Sequence, residues 1–235
     1  MVEPRKATPL LETLLAAAAG AAMVLALGAI FLFVPTDRVQ GVVQRIFYFH
    51  VPLAIVTFVA FGFTAVASAL YLWRNDPKWD RRAYASAELG VLYCTLVLVT
   101  GPIWAKPIWG TWWTWDARLT TTLILWLIYI AYLMLRNLTT DPEQGARFAA
   151  ILGVVGALDI PIINRSVYWW RTIHPAVLVT REGGTGLTDP RMQLTLLVAF
   201  VALLVLFLWL LKLRSSQAEL EAQIGAVERA LLSSA

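Results

Sequence analysis

The sequence predicts an all-α fold: a polytopic membrane protein of six transmembrane helices, with short interfacial helices on the outer side. Three observations carry this. Hydrophobic residues make up 59% of the 235-residue chain and charged residues only 14%, whereas about a quarter of a soluble domain is charged. The mean hydropathy is +0.68, so lipid is the expected solvent for much of the surface. The apolar residues also fall into six runs, each near the ~20 residues that cross a ~30 Å hydrocarbon core.

The first run, residues 14–34, follows Arg5 and Lys6 and is Ala-rich in the manner of a signal peptide. It is longer than a typical signal core and no clear cleavage site follows, so a retained span is expected. The next three runs occupy residues 51–73, 83–104 and 119–135. The fifth, 148–163, is short and contains Asp159; the sixth is 193–213. Residues 1–213 thus read as one transmembrane domain and 214–235 as a cytoplasmic tail, with Leu220, Ile224, Val227 and Leu231 at helical spacing. Six spans put both termini on one side and the first, third and fifth loops together on the other. Eleven of the 19 Lys and Arg residues lie on the termini side, and the positive-inside rule places that side in the cytoplasm. The expected location is the bacterial inner membrane.

The remaining composition excludes several classes. A net charge of +4 without a basic stripe gives no nucleic-acid footprint. The single cysteine, Cys94, lies in an apolar run, can form no internal disulfide and has no zinc spacing around it; it reads as a core residue. The glycines at 183, 184 and 186 follow no strand and precede no lysine, so they form a turn rather than a phosphate cradle. No nucleophile–base pair is visible, and no enzyme is expected. Two carboxylates fall inside spans, which marks them as functional candidates: Glu88, expected to snorkel or pair with an inner-loop arginine, and Asp159, level with the outer loops and within reach of Arg165.

The outer loops hold both histidines of the chain. If residues 40–50 are helical, Val42, Val43, Ile46, Phe47 and His50 share one face of an interfacial helix. His174 ends the run Tyr168-Trp169-Trp170-Arg171-Thr172-Ile173-His174, and Pro175 forces a break after it. A lone interfacial histidine is more often a structural hydrogen-bonder than a ligand. Two on one side, each beside aromatics and an arginine, suit the axial ligation of haem iron. Between them, loop 104–120 packs five tryptophans into twelve residues and closes with Asp116 and Arg118. An aromatic belt explains one or two tryptophans per helix end; this density suits a shelf for a large planar ligand.

The string Trp109-Gly110-Thr111-Trp112-Trp113-Thr114-Trp115-Asp116-Ala117-Arg118-Leu119-Thr120 resembles the tryptophan-rich (WWD) signature of the haem-handling proteins of cytochrome c maturation. Length, span count and one histidine flanking each side resemble the haem exporter protein C (CcmC) family within that group. Arg45-Ile46-Phe47-Tyr48-Phe49-His50-Val51-Pro52 and the run from Pro161 to His174 support it, and the likeness covers residues 40–213. The resemblance implies transient binding of haem b (iron protoporphyrin IX) at the periplasmic face and its delivery to a membrane-anchored haem chaperone, CcmE. It implies as further partners the transporter-like subunits CcmA and CcmB and the small subunit CcmD. His50 and His174 would be the axial ligands, and Arg45 and Arg118 would meet the propionates. Trp109, Trp112, Trp113, Trp115 and Asp116 would form the platform and docking surface. One departure is Pro175, where many relatives are expected to carry Gln. Two other classes stay open from the residues alone: a b-type electron carrier, against which the placement of both histidines at helix ends argues, and a haem or solute transporter subunit, which would need partners to supply nucleotide binding.

Overall fold

The computed structural model describes residues 9–136, 138–170, 172–174, 187 and 189–233. Arg5, Lys6, Arg171, Pro175 and the glycine turn at 183–186 lie outside the described residues. Apart from one isolated bridge between Asp37 and Gly41, the described secondary structure is helical. The helices are α1 (Pro9–Gly28), α2 (Phe47–Arg74), α3 (Pro77–Trp109), α4 (Ala117–Leu135), α5 (Pro142–Gly156), α6 (Asp159–Trp169) and α7 (Pro190–Ser233). A π-turn, Ala29–Phe33, extends α1, and a 3-10 turn, Val42–Ile46, leads into α2. Six of the resulting helical units are long and apolar enough to cross a membrane, α5 and α6 counting together as the fifth. The chain is a multi-pass membrane protein.

Local chemistry sets the ends. Asp76 and Asp141 each cap a helix that opens with proline, accepting from the backbone N–H of Lys78 and Glu143; proline at the first helical position forfeits only a donor with no partner there. α3 stops at Gly110, whose φ of +75° makes the left-handed cap that glycine adopts freely. Asp116 caps α4 by accepting from Leu119 N–H at 3.1 Å.

Two expectations change in detail. The segment before His50 is not one interfacial α-helix. The 3-10 turn passes straight into α2, giving a single 33-residue unit, with Val42 exposed and Phe47 buried. The fifth span breaks at Ala157 and Leu158, and Asp159 stands in the first turn of α6, where a carboxylate complements the helix dipole. Asp159 forms no pair with Arg165, and its Oδ2 is buried without a hydrogen-bond partner.

α2 is the central helix, packed most extensively on α3 and also on α5 and α7. Close approach needs small residues, as between membrane helices generally. A Cβ on Gly90 would stand 2.5 Å from the Phe61 ring, and one on Gly156 would stand 2.6 Å from Ile128. Phe61 in turn stacks on Tyr129 with centroids 3.7 Å apart, and the Tyr129 hydroxyl reaches Gly153 O at 2.9 Å.

At the end where α3 begins, charges tie the helices. Arg136, the C-terminal cap of α4, grips Asp80 of α3 through both terminal guanidinium nitrogens. Arg81 meets Glu219 at 2.5 Å, and Glu88 meets Arg214 at 2.6 Å, both partners lying on α7. Glu88 therefore pairs as expected with an arginine of its own end, but one supplied by the last helix rather than by an inner loop. Lys212 lies 4.0 Å from Glu12, so α1 begins where α7 leaves the bundle. At the opposite end Ile30, Val34, Phe47, Leu187 and Met192 share one apolar cluster, with Trp104 packed against it. The first, third and fifth loops thus meet at one end, as six spans require.

Candidate functional site

That end opens into a cavity of about 500 Å³ between α2, α3, α4 and α6, within the range of small-molecule and cofactor sites. It brings together six of the residues singled out from sequence: His50, His174, Trp109, Trp112, Trp113 and Arg118. Three others stay out of its wall. Arg45 lies over the Phe31 ring at 6.0 Å. Trp115 is 76% exposed, edge-on to Trp113 at 5.8 Å. Asp116 is occupied as the cap of α4, its second oxygen accepting from Thr114 at 3.3 Å.

His50 projects from the first turn of α2. Its Nδ1 is 3.0 Å from the Thr100 hydroxyl on α3. That hydroxyl already donates to Leu96 O at 2.7 Å, so toward His50 it can only accept. His50 is therefore the Nδ1–H tautomer and keeps its lone pair on Nε2, the arrangement typical of a metal-binding imidazole oriented by a neighbour. Gly101 makes room for the ring, since a Cβ there would come within 3.2 Å of Cε1. Trp104 flanks the imidazole at 5.8 Å and is itself fixed by its Nε1–H, which donates to Gln40 at 3.0 Å.

His174 is held differently. Its Nδ1 is 3.0 Å from Nη1 of Arg118, and a guanidinium only donates. Nδ1 therefore accepts, and the neutral ring carries its proton on Nε2. Trp109 stands nearly edge-on to it at 6.2 Å.

The rest of the wall is mostly apolar. It reaches down from the histidines past Ala54 and Phe58 of α2 and Leu98 of α3 to Cys94, which is fully buried as the sequence suggested. Among the described residues, Arg118 is the one charged residue of this wall. The Nε1–H of Trp113 is buried and has no hydrogen-bond partner, a donor waiting for an acceptor. Sequence reasoning missed Thr100, Gly101 and Gln40, and took Trp104 only as one of the five tryptophans of the loop. A polar Thr-Gly pair within an apolar run, level with His50 on the adjoining span, is the signal that could have found the first two.

The residues fit a haem. Two imidazoles, ring surfaces, an apolar depth for the porphyrin body and a cation for a carboxylate occur in one cavity of suitable size.

Comparison with known proteins agrees. A family model described as "Heme exporter protein C" (CcmC) matches residues 2–229. The chain is similar to Heme exporter protein C of Bradyrhizobium diazoefficiens, with 42% identity over 75% of this chain and 66% of that one. The protein of the same name in Haemophilus influenzae is 38% identical over 77% of this chain and 74% of the relative. A putative cytochrome c biosynthesis ccmC-like mitochondrial protein of Arabidopsis thaliana is 40% identical over 63% and 56%. The aligned part thus spans between about half and three quarters of each relative's length.

Proposed function

The chain belongs to the heme exporter protein C (CcmC) family, and on that premise we propose that it binds haem b transiently as cargo and passes it on for cytochrome c maturation. His50 and His174 are the axial ligands, and Trp109, Trp112 and Trp113 form the platform. Arg118 and the free Nε1–H of Trp113 receive the propionates. The observation that carries the reading is the shared cavity: the only two histidines of the chain, far apart in sequence, line one aromatic chamber. The chamber faces the periplasm, with the termini and the tail from residue 214 in the cytoplasm of the inner membrane. Trp115, exposed beside the platform, presents a surface to the receiving chaperone, CcmE, while CcmA, CcmB and CcmD are the further partners.

Arg45 is less suited to a propionate than its position in sequence suggests, because it lies over Phe31 outside the cavity wall. It serves the site indirectly, at the turn that leads into α2.

The test is the visible spectrum of the purified protein. His50→Ala with His174→Ala should abolish the bound-haem spectrum while the thermal midpoint in detergent stays within a few degrees. Unchanged haem content in that double variant would sink the reading.

A further inference from the structure

The two histidines stand in opposite tautomers, and the difference has a chemical meaning. A neutral imidazole has one nitrogen lone pair. In His50 the pair is on Nε2, with Thr100 accepting the proton on Nδ1. In His174 the pair is on Nδ1, and Arg118 donates into it at 3.0 Å. Neither nitrogen of His174 can then bind iron: Nδ1 is occupied by the arginine and Nε2 carries the proton.

We propose that Arg118 is a latch on His174 which a carboxylate of the incoming porphyrin releases. This rests on the bis-histidine reading above and adds an order of events to it. His50 takes the iron first. A propionate then draws the Arg118 guanidinium away, because a charge-assisted bond to a carboxylate is stronger than one to a neutral imidazole. The His174 lone pair is set free and closes the second axial bond, the ring keeping its single proton throughout. Arg118 can make this exchange because it lines the cavity and sits at the capped start of α4, beside the site. The latch makes the second bond conditional on a free carboxylate, so an iron porphyrin without one is held by His50 alone.

The experiment compares haemin with haemin dimethyl ester, whose propionates are blocked, on the whole purified protein. Wild type should give a low-spin, six-coordinate spectrum with haemin and a high-spin, single-histidine spectrum with the diester. Its preference for haemin should be roughly 10- to 100-fold, the worth of a hydrogen bond to a charged group. In Arg118→Ala both porphyrins should become low-spin, and the preference should fall to near unity.

A low-spin diester complex in wild type would overturn the latch and leave the bis-histidine reading standing. Absence of a low-spin spectrum with haemin itself would overturn that reading and the latch with it. A second measurement needs no variant. Nitrogen NMR of the haem-free protein with labelled histidine should show one Nδ1–H and one Nε2–H ring, assigned by their loss in His50→Ala and His174→Ala; two rings of the same tautomer would refute the proposal.

Discussion

Where α3 begins, the bundle is tied by charge; where α3 ends, it is lined by rings, and among the described residues its cavity wall carries a single charge. At the first end Asp80, Arg81 and Glu88 of α3 reach Arg136, Glu219 and Arg214 on two other helices. At the second, Trp104, Trp109 and the two histidines line a cavity of about 500 Å³. A partly buried ion pair left with one member costs stability, whereas an aromatic wall around a cavity costs little when one ring is lost. The comparison teaches that the charged ties and the proposed binding chamber lie at opposite ends of the same helices. Variants at the two ends should therefore separate in their readouts.

The largest expected effect tests the charged end. Arg136→Ala leaves Asp80, which is only 7% exposed, without its partner. About 3 kcal/mol of stability should be lost, seen as a lower thermal midpoint in detergent, while haem bound by the surviving folded fraction keeps its spectrum. A changed spectrum with an unchanged midpoint would break the division.

Thr100→Val tests the other end. It removes the acceptor of the His50 Nδ1–H but keeps the shape, and haem affinity should fall by roughly 10- to 100-fold, the range for lost partners of metal-ligating residues. Thr100→Ser should restore it, and the midpoint should move little in either. Gly101→Ala is milder: its Cβ comes within 3.2 Å of the imidazole, so a weaker affinity and a shifted spectrum are expected, with the ring displaced by a few tenths of an ångström. The smallest effect on binding belongs to Trp115→Ala. Haem affinity should be unchanged within measurement error, and, on the proposed role, transfer of haem to the receiving chaperone should slow.

Much of this was legible in the sequence, and the reason differs from part to part. The six spans could be read because apolar length is dictated by bilayer thickness alone. The gathering of His50, Trp109 and His174 followed from span parity, without any knowledge of packing. What escaped were relations between helices. Thr100 and Gly101 lie 50 residues or more from His50 and belong to the site only because α2 and α3 pack in a particular register. The resemblance made Arg45 a propionate candidate, and only the structure shows that the 3-10 turn sets it over Phe31, outside the cavity wall. The partner of Glu88 was sought in an adjacent loop, while α7, continuous to Ser233, carried Arg214 back to it.

Asp116 deserves to be read by geneticists with this in mind. Its carboxylate fixes where α4 starts, and Arg118 is the second residue of that helix. Substituting it by alanine would let the first turn fray and swing the guanidinium out of line, at a cost of about 1 kcal/mol. A null phenotype at this position would then report a misplaced arginine two residues away, with no contact between Asp116 and the cargo implied. Asparagine, an equally good cap, separates the two explanations: a phenotype cured by Asn is a fault of helix phasing, and one that persists is a loss of charge.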